Sequence, residues 1–127
     1  MKTEYKAFIL TLAIFIVILG VIKQANALDI DKINNLAFTI STAKEYKLDI
    51  YDCTQYSKDL KVQLRKEGFN AICITGRMKV KGIWIEHNWV LIKDINIFVE
   101  ATPDDIGIIP EQYYNLFYKE IERGVCR

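Results

Sequence analysis

The sequence predicts an α+β fold, with N-terminal helices packed on a small antiparallel β-sheet and a C-terminal helix after the sheet. Two observations lead to this prediction. Apolar residues recur at helical spacing between residues 29 and 67, and from residue 71 onward β-branched and aromatic residues form short runs separated by turns. A chain of 127 residues has room for one such domain.

Residues 1–27 have the organisation of an export segment. Lys2 and Lys6 precede an uncharged, almost wholly apolar run at residues 7–22, and small residues follow at 25–27. The run falls just short of the roughly 17 apolar residues that span a bilayer. We therefore expect residues 1–27 to be a signal peptide or an uncleaved membrane anchor. The domain would then be residues 28–127, secreted or membrane-anchored on the extracytoplasmic side.

Two helices are predicted before the sheet. Apolar positions from Asp29 to about Tyr46 follow a helical period. A second helix is predicted from Cys53 to about Glu67, because Asp52 and Gln55 have the spacing of a capping box. Gly68 then supplies the left-handed residue that ends many helices.

The second half of the chain favours strands. A short strand is predicted over residues 71–75, an exposed β turn over the basic stretch Arg77–Lys81, and further strands over residues 83–92 and 95–99. A last helix is predicted to begin at Pro110 and to end near Gly124.

The turn around Asp94 decides which side chains share a sheet face. A loop of two or four residues places Glu100 opposite Trp89, with His87 as its diagonal neighbour on the same face. A three-residue loop shifts the pairing by one and sends Glu100 and His87 to opposite faces.

Cys53, His87 and Glu100 form a candidate site for thiol chemistry. At the first turn of a helix, Cys53 would meet unpaired backbone N–H groups and the positive end of the helix dipole, both of which favour the thiolate. His87 is the only histidine in the chain and would be the base, which Glu100 would orient. Against this, each residue also has a structural reading: a packed cysteine, a satisfied strand histidine and a carboxylate that reaches solvent.

Charge and cysteine content narrow the classes of function. With 17 basic and 16 acidic side chains the chain is nearly neutral, so there is no electrostatic reason to expect a nucleic-acid partner. Three cysteines and one histidine lack the Cys-x-x-Cys spacing of a zinc site, so neither a metal nor an organic cofactor is predicted. One arrangement pairs Cys73 with Cys126 and leaves Cys53 free; in a reducing setting all three would be thiols.

Over residues 51–103 the ordered set of these features resembles the transglutaminase-like superfamily, a branch of the papain-like cysteine proteinase fold. The matching pieces are Cys53 opening a helix, Ser57 four positions on, Gly68 to Ala71, Gly76, His87-Asn88-Trp89, and Glu100 before Ala101-Thr102-Pro103. The resemblance implies Cys53 as nucleophile, His87 as general base and acid, and Glu100 as orienting carboxylate. The chain departs from the family in three places: glutamate replaces the more frequent aspartate, Asn88 stands where alanine is frequent, and Lys47 replaces the papain-type glutamine.

Taken together, the sequence predicts an exported thiol acyltransferase or hydrolase that acts on amide or peptide bonds of a peptide or protein substrate through Cys53, His87 and Glu100. The alternative is a non-catalytic extracytoplasmic module of the same fold that binds a peptide or protein partner. A third interpretation is a small α+β domain unrelated to that family.

Overall fold

The computed structural model describes residues 29–48, 52–103 and 106–127, so the prediction of a signal peptide or anchor over residues 1–27 lies outside them. Among these residues, no helix is both long and apolar enough to cross a bilayer. The chain divides into two compact units, Met1–Lys32 and Ile33–Arg127. The first is described only at residues 29–32, which are helical. The following paragraphs concern the second.

The α+β class is confirmed. Helix α1 covers residues 33–43 of this unit, and helix α2 covers Cys53–Lys66. The remaining elements are β1 (Ala71–Val80), β2 (Ile83–Ile92), β3 (Ile97–Glu100), β4 (Gly107–Ile109), α3 (Glu111–Phe117) and β5 (Tyr118–Arg123). The strands form one antiparallel sheet in the order β4-β3-β2-β1-β5.

The turn between β2 and β3 contains four residues, 93–96, because Ile92 pairs with Ile97 and Val90 with Val99. Asn96 takes the left-handed conformation that closes this turn, with φ 52°. The even loop length was the condition for bringing Glu100 level with Trp89, and that expectation is confirmed.

Two apolar clusters hold the layers together. One joins the helices to the sheet through residues that are almost wholly buried, among them Ile33, Tyr56, Leu60, Val90 and Ile92. The other packs α3 and β5 around Trp89, with members Ile74, Met78, Leu91, Ile109, Tyr114 and Tyr118. Burying large apolar side chains on both sides of β2 fixes this strand at the centre of the domain.

The predicted turn over Arg77–Lys81 is wrong, because β1 continues without interruption to Val80 and turns only at residues 81–82. Gly76 does not break the strand. It is required within it, since a Cβ there would lie 2.1 Å from the Lys119 carbonyl oxygen and 2.6 Å from the Trp89 ring. A glycine at a close approach was therefore mistaken for a turn signal.

The last helix is present but ends at Phe117, so its predicted extension to Gly124 is wrong. Residues 118–123 instead pair with β1, where Tyr118 lies opposite Met78 and Lys119 opposite Arg77. The sequence Tyr-Lys-Glu-Ile-Glu-Arg suits either period, and pairing with an available sheet edge decides in favour of a strand. Strand β4, three residues long, was not predicted at all.

Candidate active site

Helix α2 places Cys53 at its first residue, as predicted. The Asp52 side chain accepts a hydrogen bond from the Thr54 amide at 3.0 Å, and the Gln55 side chain accepts one from the Asp52 amide at 3.0 Å. This capping box fixes where the helix starts and so fixes the position of Cys53. The thiol is half-buried and free of any disulfide.

His87 and Glu100 are brought together by β2 and β3. His87 Nε2 lies 2.6 Å from Glu100 Oε1, and the two residues retain only 6% and 1% of their accessible surface. The Tyr118 hydroxyl donates a second hydrogen bond to the same Oε1 at 3.0 Å. A buried carboxylate needs such donors, and these two hold it in one orientation.

The third contact joins Cys53 to His87. Burial alone would raise the pKa of the Cys53 thiol, but hydrogen bonding and charge from His87, with hydrogen bonds from Asn88, bring that pKa below its ordinary value of 9.0. Because Glu100 takes Nε2, the ring nitrogen that remains for the sulfur is Nδ1. All three predicted site residues are therefore in one chain of polar contacts.

The pKa of His87 is shifted in the opposite direction to that of Cys53. Burial would lower the pKa of the imidazole, but hydrogen bonds with Cys53 and Glu100 and the negative charges of both groups raise it to about 10. A lowered thiol pKa beside a raised imidazole pKa favours a thiolate–imidazolium pair near neutral pH. A thiolate in that pair is the form of cysteine that acts as a nucleophile.

Asn88 is a residue of the site that the sequence analysis treated only as a departure from the family. Its Nδ2 lies 3.8 Å from the Cys53 sulfur and donates to Thr54 Oγ1 at 2.9 Å and to the Arg127 carbonyl at 2.8 Å. Its Oδ1 accepts a 2.7 Å hydrogen bond from Thr75. Asn88 thus ties the start of α2 to β1 and to residue 127, which keeps the helix end beside the strand that carries His87.

Residues 124–127 form a segment that lies beside Asn88 and Thr75. The Thr75 hydroxyl lies 2.7 Å from the Val125 carbonyl as well as from Asn88 Oδ1, so these two oxygens share its single proton, and the Arg127 amide donates to Asn88 Oδ1 at 3.3 Å. A disulfide between Cys73 and Cys126, with 5.3 Å between their α-carbons, fixes the segment to β1. This is the pairing that the sequence left as one of several arrangements, and it leaves Cys53 as the free thiol.

An open cleft of about 650 Å³ exposes the site. Its walls come from the start of α2, from the middle of β1 and β2, and from the connection before α2; they include Tyr46, Cys53, Thr75, Glu86, His87, Asn88, Ile121 and Arg127. Cys53 and His87 therefore line a concavity of the size that small ligands and short peptide segments occupy.

Tyr118 was also missed, since its strand was predicted as a helix. A tyrosine that follows helical spacing in sequence reads as core packing, and only the pairing of β5 with β1 shows that its hydroxyl reaches Glu100. Asn88 offered one usable signal: a polar residue next to His87 in an otherwise apolar strand needs partners when it is buried.

Comparison with protein-family models, with curated proteins and with solved structures finds no match to this chain. The transglutaminase-like assignment therefore stays a prediction that rests on the residues themselves. Over residues 29–48, 52–103 and 106–127, no group of three or more histidine, cysteine or acidic side chains is placed to hold a metal ion.

Proposed function

We propose that this domain is an extracytoplasmic thiol acyltransferase or hydrolase of the transglutaminase-like type, acting on amide or peptide bonds. The observation that carries the proposal is the contact chain from Cys53 to His87 and from His87 Nε2 to Glu100 Oε1 at 2.6 Å. A nucleophile, a base and an orienting carboxylate in that order are the recognised requirements for covalent acyl transfer.

In the proposed reaction the Cys53 thiolate attacks a carbonyl carbon, and the C–S bond forms as the carbonyl oxygen becomes an oxyanion. The backbone N–H of Cys53, at the first turn of α2, is a donor for that oxyanion. His87 then gives its proton to the departing amine, which leaves a thioester on Cys53 and a neutral imidazole.

In the second half, His87 takes a proton from water or from an acceptor amine as that group attacks the thioester. The thiolate departs, and the proton on His87 restores the ion pair. Glu100 keeps the ring oriented through Nε2 in both halves, so Nδ1 stays directed at the reacting atoms. Hydrolysis and transfer differ only in which nucleophile reaches the thioester first.

Formation of the acyl-enzyme tests this proposal directly. We expect p-nitrophenyl acetate to acetylate Cys53 once per chain, detected by intact mass after an acid quench, and to give a burst of one equivalent of p-nitrophenolate, followed by absorbance before the quench. Cys53→Ser should remove the label, and His87→Ala should slow labelling by about 100-fold or more, the usual contribution of a general base.

A matched variant is Lys93→Ala, which changes an exposed residue in the β2–β3 turn and should label at the unmodified rate. If Cys53 in the folded protein were acetylated no faster than glutathione, and at the same rate in His87→Ala, the catalytic proposal would fail. That result is the one expected of the non-catalytic binding module.

A further inference from the structure

Three cations lie together on the part of the sheet that continues past α2. Arg77 and Lys79 are alternate residues of β1, so their side chains share one face, and Lys119 of β5 is the direct partner of Arg77. All three are exposed. With Trp84, which lies opposite Lys79 in β2, they make up a surface that we call the basic face.

Trp84 holds two of these charges close to each other. The Lys119 ammonium lies 4.2 Å from the centre of the Trp84 ring, and the Lys79 ammonium lies 5.8 Å from it. The indole attracts each cation through its negative π face, so both lysines gain order from the same ring. Both ammonium groups are therefore held at the same indole ring.

These charges are not compensated within the described part of the chain. Glu86 lies opposite Arg77 in β2, yet no described carboxylate is within ion-pair distance of Arg77, Lys79 or Lys119. Like charges directly opposite each other in an antiparallel pair destabilise the sheet. Arg77 lies between Glu86, a favourable neighbour across β2, and Lys119, an unfavourable one across β5, and an anionic partner bound at Arg77 and Lys119 would offset that repulsion.

The basic face is continuous with the cleft that contains Cys53. Thr75 lines the cleft, and Arg77 follows two residues later on the same strand face, about 7 Å further along. Glu86, the partner of Arg77, lines the cleft as well. An extended chain that leaves the cleft along β1 would therefore pass over the basic face.

Polypeptide is the chemistry that this edge already accommodates. Thr75 and Asn88 hydrogen-bond main-chain groups of Val125 and Arg127, so the wall between Cys53 and the basic face presents side-chain amide and hydroxyl groups to peptide backbone. Cationic side chains beyond that wall complement carboxylates. We propose that the basic face binds an acidic peptide segment, flanking the bond that would be presented to Cys53.

The placement of the peptide beside Cys53 rests on the proposed function, whereas its binding to the basic face does not. Binding is therefore measured in the full chain carrying Cys53→Ser, which lacks the thiol. The probe is acetylated hexaglutamate amide, with hexaglutamine as the neutral peptide, titrated by calorimetry and tryptophan emission. Trp89 is fully buried and Trp84 is not, so an emission change reports the basic face. One double variant carries Arg77→Gln and Lys119→Gln. Its control is a double variant that carries Lys66→Gln and Lys93→Gln and so changes two exposed lysines outside the basic face.

We expect hexaglutamate to bind and hexaglutamine not to bind. The Arg77 and Lys119 double variant should weaken binding at least about tenfold, the Lys66 and Lys93 control should not, and higher salt should weaken binding as well. Lys79→Gln is a second, single variant for the case in which the double variant does not fold, and it should weaken binding about threefold.

Three outcomes would overturn the proposal: hexaglutamate does not bind, both double variants bind it equally, or phosphatidylserine vesicles bind the protein while hexaglutamate neither binds nor competes. The last result would assign the basic face to an anionic membrane surface instead. Acetylation of Cys53 by p-nitrophenyl acetate is scored separately in the native sequence. Loss of peptide binding with intact acetylation rejects only the acidic-peptide inference.

Discussion

His87 Nε2 lies 2.6 Å from Glu100 Oε1, and both side chains are almost wholly removed from water. A buried carboxylate is stable only with a partner that replaces its lost interactions with water. A protonated imidazole at hydrogen-bond distance is such a partner. The same ring contacts Cys53, and in its protonated form it favours the thiolate over the thiol. This relationship links the burial of Glu100 to the reactivity of Cys53.

The imidazole of His87 should stay charged well above neutral pH. The Cys53 and Glu100 contacts outweigh burial and raise its pKa to about 10, so the protonated form persists below that pH. Because His87 is the only histidine, its ring signals in an NMR pH titration are unambiguous. Glu100→Gln should lower the midpoint, while Glu111→Gln, an exposed control, should leave it unchanged. A native midpoint near 6.5 would contradict the proposed ion pair.

The midpoint of Cys53 alkylation with pH should be shifted in the opposite direction to that of a thiol that is only buried. Iodoacetamide reacts with the thiolate, so its rate rises as pH passes through the lowered thiol pKa, below 9.0, and then levels off. In His87→Ala the hydrogen bond and the charge of His87 are lost, while burial and the Asn88 hydrogen bonds remain, so the midpoint should rise. At pH 7 the variant should react more slowly, by about tenfold for each unit by which the midpoint rises, because one pKa unit is a tenfold change in thiolate fraction. Equal midpoints would show that His87 does not act on the thiol.

Tyr118→Phe should test how the orientation of Glu100 affects the site, because it removes a hydrogen bond to Glu100 and leaves the carboxylate in place. The hydroxyl donates to Glu100 Oε1 at 3.0 Å, and removing a hydrogen bond to a buried charge costs about 1.5–3 kcal/mol. We expect the free energy of unfolding in urea to fall by that amount and the rate of Cys53 acetylation to fall with it. Tyr113→Phe is the matched control, because that ring is exposed on α3. A stability loss without any change in Cys53 reactivity would limit Tyr118 to a structural role.

The parts of the site that the sequence predicted depend on local chemistry. Asp52 and Gln55 have capping-box spacing whatever surrounds them, so the position of Cys53 at the helix start followed directly from the sequence. The register of Glu100 and His87 followed from a choice between even and odd turn lengths, and the four-residue turn settled it. In both cases neighbouring residues decide the outcome, with little help from the rest of the fold.

The parts that sequence reasoning missed depend on contacts between distant segments. Tyr118 begins a strand only because β1 offers an open edge, and its own residues suit a helix equally well. Asn88 matters because Thr54, Thr75 and Arg127 converge on it from three separate parts of the chain. No periodicity in one sequence reports such a convergence, so a polar residue in a buried strand is the only available sign.

The Cys73–Cys126 disulfide should be a major source of stability. It joins residues 53 positions apart, and closing a loop of that length restricts the unfolded chain by about 4 kcal/mol in the chain-entropy account. We expect one titratable thiol per chain in the oxidised protein and three after reduction. Cys73→Ser with Cys126→Ser should lower the free energy of unfolding by about 2–4 kcal/mol in urea. Finding three thiols in native protein purified without reductant would contradict the pairing.

Gly76→Ala should be the most damaging small substitution in β1. The added methyl group would lie 2.1 Å from the Lys119 carbonyl oxygen and 2.6 Å from Trp89, so backbone and a buried ring must both move. Overpacking of this kind costs about 1–3 kcal/mol, and here the obstacle includes rigid backbone. We therefore expect the free energy of unfolding in chemical denaturation to fall by at least about 2 kcal/mol.

Gly68→Ala is the matched control: its φ of 90° adds strain, but no atom lies within 4 Å of its new methyl group. It should lose only about 1 kcal/mol. Because Gly76 pairs with His87, Gly76→Ala should also slow Cys53 acetylation, whereas Gly68→Ala should not. Equal losses of stability in the two variants would show that β5 and Trp89 do not pack against Gly76 as described.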